Sequence, residues 1–419
     1  MTDPSPAHRR LLLARVAAGV ALALIGVATL VPVEESEVAL THFCLVCGSL
    51  GAQDFFDNVL LFVPLGAALR LAGLSRLRAV LAAVLTTVAV ESLQYSVVTG
   101  RDASVGDLLS NTIGGALGVL LADRWRALLL PRTAAARRLA LGGAGGWLAV
   151  LAATAWALAP SFPDRPAVVQ WTPEDPALAI YQGEVLAASL AGRPLLPGPL
   201  PPEARAALAA GSGQLDVRLT AGDERSDLAP IVRVRTADSV DVLSLSERYC
   251  ALELGVWTRV SDLRFRSPTV RVPGVLPCDG EAAGPRGKTA ARDTLVAVGE
   301  RRGSEVRLSA RGRAAPAASR SLALTPTLGW SFFLPWTFPF GGTSWPLSAL
   351  WAGGLLFAVA YWSGRGGARW ALPLLAGTVA VGLGAIAPLF SLAVPGVGEW
   401  VGTVAGGLAG WALGRRRAG

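Results

Sequence analysis

Long apolar runs, separated by one polar stretch, limit how this chain can fold more than any other feature. A run of about 20 apolar residues suits the ~30 Å hydrocarbon layer of a bilayer. Of all residues, 52% are hydrophobic and 16% are charged, whereas a soluble domain carries about 25% charged residues. A disordered chain and a single soluble domain are therefore excluded. The eight predicted spans are Leu11–Val33, Phe55–Ala72, Ala79–Val98, Val105–Ala122, Leu139–Pro160, Trp345–Trp362, Trp370–Val394 and Val397–Gly414.

Arginines outside the polar stretch indicate the direction of the spans. They cluster in alternate loops, and a cytoplasmic N-terminus with Arg9 and Arg10 places every cluster on the inner side, as the positive-inside rule requires. We therefore expect a multi-pass protein of the plasma (inner) membrane with both termini in the cytoplasm. The formal net charge of +8 then reflects topology and contact with anionic lipid. Membrane lipid is the expected partner, and nucleic acid is not.

The polar stretch Ser161–Pro339 is predicted to be a separate β-sandwich on the outer side. Apolar and polar residues alternate in short runs such as Leu215–Leu219, Leu263–Arg266 and Val270–Val272, with Gly, Pro and Asp between them. Many short strands at such spacing are typical of a sandwich. The fold class is thus multi-domain: an α-helical transmembrane bundle of about eight spans with an inserted, extracytoplasmic all-β domain. The predicted domains are residues 1–160 with five helices, 161–340 with the sandwich, and 341–419 with three helices.

Arginines alternate with apolar residues along several predicted strands, as in Val232–Arg235. One interpretation places these arginines on the solvated face of a sheet. The other makes them a basic surface that faces a ligand. Further along, the aromatic run Gly329–Phe340 is interpreted as the return of the domain to the membrane, because Trp and Phe favour the headgroup level.

All four cysteines fall on the predicted outer side, where an oxidising compartment permits disulfides. Cys250 and Cys278 flank two predicted strands and are expected to pair. Cys44 and Cys47 have CxxC spacing, which also occurs in redox and metal sites. The sequence has no second CxxC, so a local disulfide or two free thiols are expected there, and no metal site.

Polar side chains occur in the N-terminal half at places where a membrane helix usually avoids them. A carboxylate near the middle of a bilayer costs about 2.5–3.5 kcal/mol on insertion scales, and such residues usually face the bundle interior and find partners. Arg101 is the one cation in an outer loop that the orientation rule does not explain, and it is expected to pair with Glu91 or Asp107. The predicted ligand site or polar network comprises Asp57, Asn58, Glu91, Gln94, Arg101, Asp107 and Asn111.

Three interpretations of these polar residues stay open. They hold the helices together, they form a ligand site open to the outer face, or they catalyse a reaction with two carboxylates and an arginine. The histidines are His8 and His42, the lysine is Lys288, and neither a nucleophile nor a metal cluster is recognisable. No catalytic residue, cofactor or metal is therefore assigned, and a non-enzymatic protein is expected.

Two helices carry glycines four residues apart, a spacing that lets membrane helices pack closely. Gly114 and Gly118 form such a pair in the fourth run. Gly406 and Gly410 form another in the last run, and Glu399 precedes Thr403 there as Asp107 precedes Asn111. The similarity is either an echo of one packing unit or a coincidence in a Gly-rich chain.

These motifs, taken in order over about Thr29–Ala122, resemble the VanZ-like family of bacterial membrane proteins. The resemblance implies an envelope location and a link to resistance against glycopeptide antibiotics, mainly teicoplanin, and it implies no established reaction. Peptidoglycan precursor or glycan is therefore an expected partner. The family's motif positions here are Asp57, Asn58, Pro64, Gly66, Glu91, Gln94, Arg101, Asp107, Asn111 and Gly114.

The inserted domain is similar to a laminin-G or concanavalin A-like jelly roll. Ile180–Gly183 and the strands from Gln214 onward carry this resemblance. Such folds often bind glycans, and the resemblance implies that possibility for the insert. Neither a calcium site nor a sugar site stands out among its residues.

Overall fold

A computed structural model describes residues 6–31, 50–98, 104–162, 164–175, 178–222, 228–237, 240–256, 258–276, 294–312, 317–334, 338–340 and 343–416. Its contacts divide the chain into two compact units, Met1–Pro131 and Arg132–Gly419. The first unit is helical, and the second combines helices with two β-sheets.

The described residues of the first unit form a bundle of four long helices. Buried apolar residues at helical spacing meet in one core cluster, in which Ala21 and Ile25 pack with Phe62, Leu65 and Val90. A serine hydroxyl accepts a hydrogen bond from a backbone N–H at the start of the third and of the fourth helix, which satisfies one of the free donors at each end. The helices are α1 (Pro6–Leu30), α2 (Gly51–Leu71), α3 (Arg76–Ser96) and α4 (Val105–Leu129).

Helices α2 and α4 approach each other closely because glycines lie at their contact. A methyl group added at Gly114 would overlap the carbonyl oxygen of Val59, and one at Gly118 would overlap that of Val63. Gly66 of α2 lies equally close to the backbone of α4. Small residues let membrane helices come near enough for extensive van der Waals contact, which replaces the hydrophobic driving force that is absent in lipid.

The helices of the second unit pack in a similar way. Here Gly406 lies against the carbonyl group of Gly353, and Gly410 lies against that of Phe357. A stretch of π-helix, Ala380–Ala385, connects two α-helices into one continuous helical segment. The helices are α5 (Thr133–Leu158), α6 (Pro202–Ala209), α7 (Arg259–Asp262), α8 (Trp345–Gly366), α9 (Ala368–Val379), α10 (Ile386–Leu389) and α11 (Val397–Arg416).

The strands of the second unit form two sheets. They are β1 (Ala167–Trp171), β2 (Val185–Leu190), β3 (Arg193–Pro194), β4 (Gly198–Pro199), β5 (Ser212–Thr220), β6 (Ala229–Thr236), β7 (Asp241–Arg248), β8 (Ala251–Val256), β9 (Thr269–Val272), β10 (Thr294–Arg302), β11 (Glu305–Gly312), β12 (Ala318–Ala323) and β13 (Pro339–Phe340). The described part of the chain has a 7-stranded sheet, β13-β9-β8-β7-β6-β1-β4, and a 6-stranded sheet, β12-β11-β10-β5-β2-β3. Neighbouring strands are antiparallel except for β13 and β9. Alternate residues of both sheets meet in one apolar core.

Several contacts join the sandwich to the helices of the second unit. At the end of α5, the Arg259 guanidinium lies 5.3 Å from the ring centroid of Trp156 and donates to its backbone carbonyl at 3.1 Å. After β12, a buried 3₁₀ helix, Pro326–Phe333, packs against α5 and α8. Its Trp330 indole donates to the Ser348 hydroxyl at 3.1 Å. The described part of the predicted return segment is thus folded into this unit.

The predicted count of eight spans is supported only in part. Within the part of the chain that the structure describes, six helical segments are long and apolar enough to cross a membrane: His8–Leu30, Arg76–Ser96, Val105–Leu129, Thr133–Leu158, Trp345–Gly366 and Arg369–Leu389. α2 and α11, although 21 and 20 residues long, do not meet the same standard. α2 carries Asp54, Asp57 and Arg70, and α11 carries Glu399 and several glycines. Their crossing of the membrane stays a prediction.

The two compact units group the chain differently from the three predicted domains, because the second unit holds α5, the sandwich and the C-terminal helices together. Residues 1–160 were expected to form a five-helix domain, but α5 belongs to the second unit. The Trp147 indole of α5 donates to the Ala352 carbonyl of α8 at 3.0 Å, and Leu151 lies in the core of that unit. These contacts account for the difference.

One strand prediction in the sandwich is wrong, and the interpretation of a solvated arginine face holds at Arg218 and Arg307, which are exposed, but fails at Arg233. Leu263–Arg266 is not a strand: it is the turn after α7, in which Phe265 N–H bonds to the Val260 carbonyl and Arg264 has a φ of 57°. Arg233 does not lie on a solvated face. It is 2% exposed, because its guanidinium pairs with Asp175 at 3.0 Å and with Gln170 at 2.6 Å.

Changing Gly118 to alanine tests the close contact of α2 and α4. Because the new methyl group would meet the Val63 carbonyl, we expect Gly118→Ala to lower the stability of the protein by about 1–3 kcal/mol or more. Gly26→Ala is the matched control, since its methyl group meets nothing within 4 Å. The unfolding temperature in detergent measures both, and equal values for the two variants would contradict the packing.

Candidate functional site

The predicted polar residues of the first unit lie on three helices. Asp57 and Asn58 lie near the start of α2, Glu91 and Gln94 near the end of α3, and the remaining two in the first turns of α4. α2 and α4 begin where α3 ends, so these groups come to the same end of the bundle. Arg101 lies outside the described residues, and its predicted pairing stays a prediction.

A hydrogen bond joins α2 to α4 at this end. The amide Nδ2 of Asn58 donates to Oδ1 of Asp107 at 2.6 Å. The backbone N–H of Asp107 donates to the Ser104 hydroxyl at 2.9 Å, which caps α4. The Asp107 carboxylate thus lies in the first turn of α4, where the positive end of the helix dipole stabilises it.

Two further bonds join α3 to the start of α4. Glu91 Oε2 accepts from the backbone N–H of Ser104 at 3.0 Å. One turn further into α4, Asn111 Nδ2 donates to the Thr87 hydroxyl at 2.9 Å. Glu91 and Asp107 therefore both hold the N-terminus of α4 in place.

Gln94 connects α3 with α1. Its Nε2 donates to the backbone carbonyl of Thr29 at 2.9 Å, and the Thr29 hydroxyl donates to the Ile25 carbonyl at 2.7 Å. Thr29 and Thr87 were not predicted from the sequence. A single threonine on an apolar helix does not reveal a partner on another helix. Its hydroxyl can instead bond to a backbone carbonyl in the preceding turn of its own helix.

Two acceptor atoms of the site have no hydrogen-bond partner among the described residues: Oε1 of Gln94 and Oδ1 of Asn111. Gln94 is 8% exposed and Asn111 is 1% exposed. An unsatisfied buried polar group costs about 1–3 kcal/mol, so both oxygens favour a donor that approaches them. We name the set Asn58, Glu91, Gln94, Asp107 and Asn111 the acceptor cluster.

A second charged group lies at the opposite end of the first unit. Asp123 of α4 accepts from Arg70 Nε at 2.7 Å and from Arg76 Nε. The sequence prediction assigned both arginines to inner-face topology and gave Asp123 no role. An acidic residue among clustered arginines was the feature of the sequence that could have indicated these ion pairs. Asp123 joins α2, α3 and α4 at that end.

The sandwich has a small cleft of its own, with a cavity volume of about 20 Å³, which is room for about one water molecule. Leu190 and Leu215 line it from the 6-stranded sheet, and Leu243 and Leu254 line it from the 7-stranded sheet. Arg301 also lines it, from a core-facing position of β10, and is 6% exposed. Burial lowers the pKa of Arg301 to about 10. The cleft therefore combines apolar walls with one buried cation.

This cleft lies beside the end of α5. A methyl group at Gly211, one of its lining residues, would come 2.7 Å from Cγ of Pro160, just beyond α5. Because α5 is a candidate membrane span, the cleft is next to the place where the chain leaves that span.

Of the four cysteines, the structure describes Cys250 alone, so the cysteine predictions are tested only in part. Cys250 is disulfide-bonded and 3% exposed. Cys278, its predicted partner, lies outside the described residues, as do Cys44 and Cys47. Both pairings therefore stay predictions. Within the described part of the chain, no group of three or more His, Cys, Asp or Glu residues is arranged to hold a metal ion.

The first unit defines a class of protein: a multi-helix membrane protein in which polar and ionisable side chains meet between the helices. Residues 13–126 match the family model described as VanZ/LLP1. The chain thus carries a VanZ/LLP1 domain over this region, which confirms the resemblance predicted from about Thr29–Ala122 and extends it into α1. No curated protein and no solved structure matches the chain.

A buried acid of the sandwich predicts a pH dependence of stability. Glu247 is 4% exposed, and burial raises its pKa from 4.5 to about 7. The folded state therefore keeps a proton that the unfolded state releases, and stability falls as the pH rises from about 4.5 to about 7. We expect Glu247→Gln to be more stable than the wild type at pH 8 by about 1–3 kcal/mol, and equal to it near pH 4.5.

Glu305→Gln is the control for this prediction. An ion pair with Arg307 lowers the pKa of the exposed Glu305 carboxyl, so its removal gives no gain at pH 8. Unfolding temperatures of the full chain across pH 4–8 measure both variants. A Glu247→Gln variant whose advantage does not change with pH would contradict the assignment.

Proposed function

We propose that the protein is a non-enzymatic integral membrane protein of the bacterial cell envelope. Its acceptor cluster binds the donor-rich headgroup of an envelope lipid, with lipid-linked peptidoglycan precursor as the leading candidate. The observation that carries the proposal is the pair of buried oxygens on Gln94 and Asn111 that have no partner within the described ranges. The VanZ/LLP1 match adds the envelope theme and, through the family resemblance, a link to glycopeptide resistance.

The chemistry of the cluster supports a ligand rich in hydroxyl, amide or ammonium groups. Two carboxylates and two amide oxygens supply acceptors. The side-chain amides of Asn58 and Asn111 each already donate one hydrogen bond within the protein. Burial excludes competing water, so each matched donor contributes more than it would at the surface. A sugar or peptide headgroup carries such donors in number.

The proposed topology places the cluster at the outer side. α1, α3 and α4 qualify as membrane spans, and Arg70, Arg76 and Asp123 mark the end opposite to the cluster. If that arginine-bearing end is cytoplasmic, as the positive-inside rule favours, the acceptor cluster faces outward. Both termini are then cytoplasmic, and residues of about 161–340 are extracytoplasmic.

We also propose that the sandwich engages glycan at the outer face. This proposal rests on the resemblance to a jelly-roll fold, because the cleft beside the end of α5 is too small for a lipid.

The competing function is an intramembrane enzyme that acts on an envelope lipid, with Glu91 or Asp107 as acid or base. Each carboxylate already accepts a hydrogen bond, from Ser104 N–H and from Asn58 Nδ2. These bonds hold both carboxyl groups in fixed positions, which suits acceptors that bind the donors of a ligand. A third possibility, a purely structural network, leaves the two unpartnered oxygens without a purpose.

Binding by the purified full chain in nanodiscs tests the proposal. We expect it to bind lipid-linked peptidoglycan precursor, and Asn111→Leu and Gln94→Leu to weaken binding at least about tenfold, the equivalent of one lost hydrogen bond to a buried group. Thr112→Val is the matched control, because the Thr112 hydroxyl bonds to the Leu108 carbonyl of its own helix.

Three outcomes separate the alternatives. Failure to bind both the precursor and teicoplanin, with unchanged drug sensitivity of a deletion strain, would contradict the proposal. If the variants lower the unfolding temperature and leave binding intact, the network is structural. If Glu91→Gln or Asp107→Asn abolishes turnover of a bound lipid while binding persists, the protein is an enzyme.

A further inference from the structure

The helices of the second unit follow the same order as those of the first. α1 corresponds to α5, α2 to α8, and α4 to α11. α3, Arg76–Ser96, corresponds to the continuous segment Arg369–Leu389, and both segments contain 21 residues. The sandwich lies between the first and second helices of this second set. We call α1–α4 the first repeat, and α5 with α8–α11 the second repeat.

The core positions of the two repeats agree. Buried side chains on the first, second and third helices meet in both, and their spacing along each helix is the same. The five residues of the first repeat are Ala21, Ile25, Phe62, Leu65 and Val90, and their counterparts are Trp147, Leu151, Leu356, Val359 and Leu383.

The glycine contacts also agree. In each repeat, two glycines of the fourth helix, four residues apart, lie against two backbone carbonyls of the second helix that are four residues apart. The contacts are Gly114 with Val59 and Gly118 with Val63 in the first repeat, and Gly406 with Gly353 and Gly410 with Phe357 in the second. Chance similarity in a Gly-rich chain does not produce the same partners in the same register.

The π-helix explains the one irregularity. Before it, the buried Ala371 follows the buried Ala79 by 292 residues, and after it the buried Ala387 follows the buried Gln94 by 293. A π turn contains one residue more than an α turn, so Ala380–Ala385 absorbs a single inserted residue and restores the register of the core.

The two repeats differ at their polar positions. Where the first repeat has Asn58, Glu91 and Gln94, the second has Ala352, Gly384 and Ala387 in the same register. On the fourth helix the polar character persists: Glu399 replaces Asp107, and Thr403 replaces Asn111. The second repeat therefore keeps an acid but not the acceptor cluster around it.

Glu399 accepts donors from the segment that leaves the sandwich. Its Oε1 accepts from the hydroxyls of Thr325, at 3.3 Å, and Thr327, and its Oε2 accepts from Gly396 N–H at 2.6 Å. Glu399 is 5% exposed. Next to it, Ala393 N–H donates to the Leu324 carbonyl at 3.0 Å. The start of α11 is thus bonded to the strand exit of the sandwich.

We propose that the chain contains two copies of one four-helix unit, that the sandwich is inserted into the first loop of the second copy, and that Glu399 is a positioning residue that anchors the sandwich to the helices. The first repeat alone keeps a ligand site, and this last clause rests on the function proposed above.

Hydrogen exchange of the full chain in nanodiscs tests the anchor without any ligand. Glu399→Ala removes the acceptor of both threonine hydroxyls, so amides of residues 324–333 should exchange at least about tenfold faster, as expected when hydrogen bonds to a buried carboxylate are lost. Glu399→Gln keeps an acceptor oxygen and should restore much of the protection. Asp107→Ala, at the equivalent position of the first repeat, should leave residues 324–333 unchanged.

A second variant and a binding measurement complete the test. Thr327→Val removes one donor and keeps the carboxylate, and it should raise exchange of the same segment even if Glu399→Ala does not fold. Precursor binding should persist in Glu399→Ala and weaken in Asp107→Ala. Unchanged exchange in both Glu399→Ala and Thr327→Val would overturn the anchor. Equal loss of binding in Glu399→Ala and Asp107→Ala would overturn the assignment of one ligand site.

Discussion

The close contact of α2 and α4 at glycine is the constraint on which the first unit depends. Without side chains at Gly114 and Gly118, the α4 helix lies directly against the carbonyl groups of Val59 and Val63. Lipid provides no hydrophobic force between helices, so such contact must hold them together. The same approach brings Asn58 within 2.6 Å of Asp107, which longer side chains at the interface would prevent.

Close packing in turn makes the polar groups costly, because it excludes water. The protein meets this cost by pairing most of them: α4 is capped by Ser104, Ser104 N–H bonds to Glu91, and Asn111 bonds to Thr87. What remains are two amide oxygens that the described residues do not satisfy. If the network were purely structural, apolar residues at these positions would make the protein more stable. A binding site, in contrast, needs these two amide oxygens as acceptors for its ligand.

Much of this arrangement is predictable from the sequence, because polar residues are rare in membrane helices and glycines at a regular spacing are easy to recognise. Charged and amide residues within apolar runs indicated the acceptor cluster, and glycines four residues apart indicated the helix contacts. Alternation indicated the sandwich, but it failed at Leu263–Arg266, where a short helix and a turn have the same pattern. Partners such as Thr29, Thr87 and Asp175 were not predictable, because the tertiary fold selects them. Arg233 was misplaced for the same reason, since a loop carries Asp175 across the sheet face.

A double-mutant cycle on Asn58 and Asp107 tests the central claim most directly, because it measures whether polar groups of α2 and α4 meet. The unfolding free energies of Asn58→Ala, Asp107→Ala and the double variant are compared with that of the wild type. The account predicts a coupling energy of about 1 kcal/mol or more, at the upper part of the range for hydrogen bonds between membrane helices. Additive effects of the two substitutions would show that these side chains do not interact, and the acceptor cluster would then not exist.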